Sequence, residues 1–232
     1  MQLFYEEEIT TNGGYLDPTE SIHCTKALRH KAGDEILIIN GKGQIFKALI
    51  KDANPKKCRV EIVSQETQSP SSVECHIAIA PTKNMERTEW FVEKSTELGI
   101  ETITPIVCRN SERKTIKAER LGKVVISAIK QSGSLWRPLI NELSDFDSFI
   151  EQQFEGDKFI AHCHSGNEPH LKDLVERGNN TLVLIGPEGD FTIEEVKRAE
   201  AMGFKAISLG PKRLRTETAA LAACHIIRLE NQ

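Results

Sequence analysis

Residues 181–224 read TLVLIGPEGDFTIEEVKRAEAMGFKAISLGPKRLRTETAALAAC, and the fold is decided in this stretch. An apolar run, Leu182 to Ile185, stops at Gly186-Pro187-Glu188-Gly189; a second, Ala206 to Leu209, stops at Gly210-Pro211. Short apolar runs ended by glycine predict buried parallel strands, and each loop leads into a helix. The first helix is strongly specified: Thr192 with Glu195 makes a capping box, Phe191 and Val196 have the spacing of a hydrophobic staple, and Gly203 ends it. The second, from about Thr216 to Leu229, is Ala- and Ile-rich around much of its circumference and should be buried or lie in an interface. In open α/β sheets ligands bind beyond the carboxyl ends of strands, so two such ends close in sequence point to a pocket.

Working upstream, strand and helix alternate. A strand is predicted at Val73 to Ala80, then a helix from Met85 to Leu98 capped by Asn84 and closed by Gly99. Thr102 to Val107 follows as a strand, with Pro105 arguing for a sheet edge or a strand end. Glu119 to Ser132 keeps helical spacing, and Lys158 to Cys163 reads as a strand running into His164-Ser165-Gly166. This order implies an α/β domain with a mainly parallel sheet, for which general topology rules favour an unknotted doubly wound arrangement. The polar QETQSPSS of Gln65 to Ser72 is the best linker. Before it, residues 1 to about 66 read as a small β-rich domain: Ile36 to Ile39, the turn Asn40-Gly41-Lys42-Gly43, Gln44 to Ile50, and a further strand at Cys58 to Val63. A short helix, Ser21 to His30, would carry Lys26, Arg29 and His30. Small antiparallel barrels often bind nucleic acid, but a stability module with solvated lysines fits the same pattern.

The chain has 232 residues and a net charge of -4, so any nucleic-acid surface must be a local basic patch. Met1 to Ile9 is acidic and unlike a signal peptide, and no apolar run reaches the length of a membrane span. Six cysteines are scattered without CxxC spacing, the pattern of reduced thiols in a cytoplasmic protein.

GPEGD is neither a dinucleotide fingerprint nor a phosphate loop. A pocket without a phosphate cradle suits a ligand with an adenine and a sugar but no phosphates. Gly186, Gly189 and Gly210 would allow close backbone approach, with Ile185, Leu209 and Leu214 as apolar walls; tight strand-to-helix turns would also explain the glycines. In Arg213 to Ala219 (RLRTETA), Thr216 can cap the last helix and Glu217 complement its dipole, whereas Arg215 has no such structural role. A cation there could hold a phosphate or stabilise a developing anion. Lys83, Arg87 and Lys94 fall near one helix face, although Glu97 could pair with Lys94. Between Arg109 and Arg137 eight basic residues, Arg113, Arg120, Lys123, Lys130 and Arg137 among them, outnumber Glu112 and Glu119; this is a phosphate-binding surface or a solvated helix face. His162, Cys163, His164 and His170 lack zinc-site spacing, and no metal is expected.

GPEG with its capped helix, followed by SLGPKRLRTETA, closely resembles the RsmE family of ribosomal RNA methyltransferases within the SPOUT superfamily. ALRHKAGDEILIINGKG (27–43) matches that family's PUA-like domain, and Lys83, Arg87 and KSTELG (94–99) match another block, so the resemblance covers essentially the whole chain. It differs where the family usually has a second glycine after GPEG, here Asp190, and where an Arg follows Gln-Ser, here Gly133 with Arg137 nearby. The resemblance implies a PUA-like RNA-binding barrel over 1–70 and a SPOUT-type α/β methyltransferase domain over 73–232 with a C-terminal trefoil knot. It implies S-adenosylmethionine as cofactor, held by Ala161, His162, Ile185, Gly186, Glu188, Gly189, Leu209, Gly210, Leu214 and Thr216. The implied reaction is methylation of N3 of a uridine in 16S ribosomal RNA of the small subunit, with Arg215 stabilising the uridine anion and Glu217 as a candidate base. RNA contacts would come from Lys26, Arg29, Lys83, Arg87, Lys94, Arg113 and Arg137, and the enzyme would be a homodimer. A SPOUT methyltransferase acting on transfer RNA or a ribose hydroxyl, and a non-catalytic ribosome-assembly factor, are the alternatives.

Overall fold

The polar hairpin turn Asn40-Gly41-Lys42-Gly43 shows how local chemistry sets the N-terminal sheet. The Asn40 side-chain oxygen accepts from Lys42 N at 2.9 Å, and Gly41 and Gly43 take φ of 71° and 83°, a region open to glycine at little cost. The computed structural model describes residues 2–164 and 166–232; Met1 and Ser165, the latter within the predicted His164-Ser165-Gly166 segment, lie outside the described residues. The chain divides into two units, Met1–Pro70 with Ile126–Arg137, and Ser71–Val125 with Pro138–Gln232.

The first unit contains β1 (Leu3–Tyr5), β2 (Gly14–Tyr15), α1 (Pro18–Ile22), β3 (Glu35–Ile39), β4 (Gln44–Asp52) and β5 (Arg59–Thr67). They form a five-stranded sheet in the order β1-β3-β4-β5-β2, around Phe4, Ile36, Ile38, Phe46, Ile50 and Val60. Two boundaries differ from the sequence reading. The helix predicted from Ser21 to His30 starts at Pro18, because the Asp17 carboxylate accepts from Thr19 N and Glu20 N and Pro18 suits the first helical position. It continues as a wider turn over His23–Ala27 and has ended by Arg29, whose φ is 61°. The predicted linker residues Gln65 to Thr67 belong to β5 and pair with Gln44 to Phe46. All three are exposed polar residues, so no alternation marked them as a strand.

The second unit contains β6 (Cys75–Ile79), α2 (Met85–Leu98), β7 (Thr102–Val107), part of α3 (Ala118–Ser132), β8 (Leu139–Ile140), β9 (Ser144–Asp145), α4 (Phe146–Ile150), β10 (Asp157–Ala161), β11 (Thr181–Ile185), α5 (Ile193–Ala201), β12 (Lys205–Ile207) and α6 (Thr216–Glu230). The sheet runs β12-β10-β11-β6-β7-β8, with β9 also beside β7, and its pairings are parallel. Every residue of β6 and β11 is buried, as expected of strands covered on both faces. On one face Ala78, Ile160, Leu182 and Leu184 pack with Phe146, Phe149, Phe191, Val196 and Phe204. α6 packs on β6 and β11 and against α2. Pro105 does not mark a sheet edge. β7 has β6 on one side, while β8 pairs with Thr102 and Ile103 and β9 with Ile106 and Val107, so the break between those two short strands falls where the proline has no N–H to offer. The strand predicted to reach Cys163 ends at Ala161.

His76 on β6 is a buried polar group with a clear account. Its Nε2 lies 2.8 Å from Thr104 Oγ1, which in turn accepts from Asn141 Nδ2 at 2.8 Å, and its ring meets Phe149 edge-on. A neutral ring accepting from the threonine hydroxyl completes that chain. Burial pushes the imidazole down from 6.5 to about 4. The unfolded chain therefore binds the extra proton first: the contribution is complete above about 6.5 and is lost as pH falls toward 4, with a ceiling of about 3 kcal/mol. Urea midpoints measured from pH 7 to pH 4 should fall more steeply for the natural protein than for His76→Gln; parallel pH profiles would show that His76 is not held neutral.

Candidate active site

The site arises from register. Ala161, the last residue of β10, lies opposite Ile185, the last of β11, and Ile207, the last of β12. Three neighbouring strands thus end level, and the loops that follow them open on the same edge of the sheet. Ser208 bridges to His170, with Leu171 N donating to Ser208 O at 3.0 Å and Ser208 N to Pro169 O at 2.9 Å, which holds the first and third loops together. The cavity they enclose measures about 1070 Å³. Of the residues predicted to hold a ligand, Ala161, His162, Ile185, Gly186, Glu188, Leu209, Gly210, Leu214 and Thr216 line it; Gly189 does not.

The glycines have distinct physical reasons. A Cβ on Gly186 would stand 3.1 Å from the Phe191 ring, and one on Gly189 would stand 3.1 Å from Asn110 Cβ. Gly189 therefore serves a contact behind the wall: the Asn110 amide donates to Gly189 O at 3.2 Å and to Asp190 O at 3.0 Å. Gly210 has φ of 118°, a conformation other residues rarely adopt. The capping box at Thr192 is present in full, so α5 starts where its sequence specifies and fixes the exit of the Gly186 to Phe191 loop. Glu188 does not reach into open space alone, since its Oε1 accepts from Lys83 N at 2.9 Å.

Charge is divided across the cavity. Glu168, Glu188 and Asp190 come from the loops after β10 and β11, whereas Lys212, Arg213 and Arg215 come from the loop before α6. The His162 and Glu168 side chains are nearly buried and approach to 3.7 Å. Arg215 is exposed and forms no ion pair among the described residues. It also takes the N-cap position of α6, without a side-chain capping bond. Thr216, predicted as the cap, is instead the first helical residue and is buried, because the extended backbone ends at Arg215. Glu217 follows in the first turn, where a carboxylate favours the helix dipole. It is 7% exposed and is not among the cavity-lining residues; Oε1 lies 3.9 Å from Arg87 Nε, and Oε2 has no hydrogen-bond partner among the described residues.

The predicted RNA-contacting cations fall into two groups. Lys26 and Arg29 are exposed on the first unit. Several others are engaged internally: Lys83 with Glu112 at 2.7 Å, Lys94 with Glu93 and Glu97, and Arg137 with Glu7 at 3.3 Å. Arg113 donates to Thr82 O at 3.1 Å and Lys83 O at 2.7 Å and so braces the turn before α2. In the basic run, Arg120 pairs with Glu89, Lys123 with Glu119 and Lys130 with Glu20. Sequence reasoning missed Asn110, Glu168 and the bonds of Asp190, none of which carries a local signal. Among the described residues no group of three or more His, Cys, Asp or Glu is placed to hold a metal, and no helix is long and apolar enough to cross a membrane.

Comparison with known proteins agrees with this geometry. Residues 69–228 match the model of an RNA methyltransferase domain, and residues 16–63 match that of an RNA methyltransferase PUA domain. The ribosomal RNA small subunit methyltransferase E of Buchnera aphidicola is 31% identical over 96% of this chain and 90% of its own length. The crystal structure of a probable rRNA-methyltransferase from Porphyromonas gingivalis is 38% identical, with a TM-score of 0.91 over 99% of both chains. A ribosomal RNA small subunit methyltransferase E from Neisseria gonorrhoeae, bound to S-adenosyl methionine, is 28% identical with a TM-score of 0.85, covering 99% of this chain and 97% of that one. A three-loop cavity at level strand ends, the motifs that line it and this likeness along nearly the full length lead to one assignment: the chain belongs to the RNA methyltransferase family that includes ribosomal RNA small subunit methyltransferase E.

Proposed function

We propose that this protein transfers the methyl group of S-adenosylmethionine to N3 of a uridine in the 16S ribosomal RNA of the small subunit. The observation that carries the chemistry is Arg215, an exposed guanidinium on the cavity wall without a carboxylate partner among the described residues. The residues present fit the cofactor. Ligand pockets usually measure roughly 300–1,000 Å³, so a cavity of about 1070 Å³ has room for a nucleoside cofactor and part of a second substrate. Gly186 and Gly210 bring bare backbone to its surface, Ile185, Leu209 and Leu214 supply apolar walls for an adenine, and the acidic loops face the cationic parts of such a ligand.

When bound, S-adenosylmethionine supplies an electrophilic methyl group on a positively charged sulfur. The chain supplies alignment and charge. The imide N3 carries a proton, so its removal leaves negative charge on the base, which the Arg215 guanidinium stabilises. We assign Glu217 as the candidate proton acceptor; its unpartnered Oε2, next in sequence to the cavity-lining Thr216, supports that role, and because Glu217 does not itself line the cavity the first turn of α6 must move for it to act. His162, Gly186, Glu188, Gly189 and Gly210 hold or shape the cofactor site. Lys26 and Arg29 meet RNA phosphate from the first unit, with Lys83, Arg87, Lys94, Arg113 and Arg137 recruited from their internal partners where RNA competes for them. Residues 1–70 form the RNA-binding domain and residues 73–232 the methyltransferase domain. We further propose the SPOUT trefoil knot within 181–224, action on ribosomal particles in the cytoplasm, and a homodimer. The exposed Trp90 and Leu98 on α2 and Leu229 on the adjoining α6 support an apolar face for a second copy.

The decisive experiment supplies radiolabelled S-adenosylmethionine and small ribosomal subunits from a strain lacking this activity, then analyses the nucleosides. Label in N3-methyluridine is expected; label in another nucleoside, or none in RNA, overturns the substrate. Arg215→Ala should lower turnover about 10²–10³-fold while S-adenosylhomocysteine binding stays nearly unchanged; a wild-type rate removes Arg215 from the chemistry. Glu217→Gln should lower turnover by about 10² or more while S-adenosylhomocysteine binding stays nearly unchanged. A wild-type rate would assign the proton to solvent.

A further inference from the structure

Asp190 stands where the backbone itself asks for glycine. Its φ is 63°, and its own N–H closes the preceding turn on Pro187 O at 2.9 Å. Glycine adopts that left-handed conformation freely, whereas an aspartate does so at a steric cost that local hydrogen bonding only partly offsets. The side chain shows what is gained. Oδ1 accepts from the adjacent Phe191 N at 2.8 Å, a local turn contact, but Oδ2 accepts from Cys163 N at 2.9 Å. That second bond spans 27 residues and joins the loop after β10 to the loop after β11. Two further bonds cross neighbouring seams: His164 Nε2 donates to Phe191 O at 2.7 Å, and the Asn110 amide donates to Asp190 O at 3.0 Å. Cys163 and its neighbour His162 line the cavity, as does Asp190 itself.

We infer that Asp190 is a positioning residue which locks the β10 loop against the GPEG loop, so that the His162 wall of the cofactor pocket is ordered before the cofactor arrives. This inference rests on reading the cavity as the S-adenosylmethionine site. The physical argument is preorganisation. A carboxylate receiving a backbone N–H makes a strong, directed bond, and a loop already fixed loses less entropy when a ligand binds against it. The nearby bonds from His164 and Asn110 share the task, so removal of Asp190 loosens this wall without dismantling the fold.

The test separates backbone from side chain. Asp190→Gly suits the left-handed turn better than the natural residue but removes both carboxylate bonds; Asp190→Asn tolerates the turn and keeps one neutral acceptor. Binding of S-adenosylhomocysteine by calorimetry should weaken about tenfold in Asp190→Gly, with an intermediate loss in Asp190→Asn. The melting temperature of Asp190→Gly without ligand should change little, because relief of the left-handed turn offsets the lost carboxylate bonds. With RNA saturating, KM for S-adenosylmethionine should rise while kcat changes little, and the Cys163 amide should exchange its hydrogen faster. Binding by Asp190→Gly as tight as the natural protein, or tighter in Asp190→Gly than in Asp190→Asn, overturns the positioning role alone. Failure of the natural protein to bind S-adenosylhomocysteine overturns the cofactor reading and this inference with it.

Discussion

The structure depends first on the parallel pairing of β10 between β11 and β12. Because the three strands end level at Ala161, Ile185 and Ile207, their loops must leave the sheet together, and a cavity opens where backbone can no longer pair with backbone. Burial enforces the arrangement: β11 is buried along its whole length, and Leu182 and Leu184 are packed under Phe191 and Val196, which follow directly on the Gly186 to Asp190 loop at the cavity. A slip of one residue would turn those side chains to the opposite face and move the strand ends apart. The positions of the strand ends are therefore secured by the hydrophobic core.

Within that frame, hydrogen bonds over long sequence separations give the loops their shape. Glu188 reaches Lys83, Asn110 reaches Gly189 and Asp190, Asp190 reaches Cys163, and His164 reaches Phe191. Most of these bonds are open to water, so they set the shape of the loops more than they add stability. The loops gain a defined form without becoming secondary structure, which leaves their remaining polar groups available to a ligand.

Electrostatics separates cations that stabilise this protein from cations open to a partner. Lys94, Lys123 and Lys130 have carboxylates beside them, and Arg113 caps backbone carbonyls. Arg215, Lys26 and Arg29 form no such pairs among the described residues. In a chain with a net charge of -4, only cations of the second kind are free of a neighbouring carboxylate among the described residues. Membership of an RNA methyltransferase family agrees with such a division.

Much of this protein was legible in the chain itself. The apolar run stopped by Gly186, the Thr192 to Glu195 capping box and the Asn84 to Gly99 helix act within a few residues, so short-range physics determined them and the structure has them at those positions. The run expected to be a buried strand reaching Gly210 is instead a partly exposed edge strand, β12, that ends at Ile207. The motifs around GPEG and RLRTETA identified the family for the same reason: they are contiguous. Tertiary structure decided what contiguity could not carry. Pro105 lies inside the sheet because two short strands from elsewhere flank its missing N–H, and Gln65 to Thr67 are strand because Gln44 to Phe46 pair with them. Thr216 yields the cap position to Arg215, Glu217 turns toward Arg87 on another helix, and Asp190 accepts a hydrogen bond from the Cys163 N–H, 27 residues away. Those outcomes follow from which groups the sheet order brings within hydrogen-bond reach, a constraint that exists only once the strands have paired.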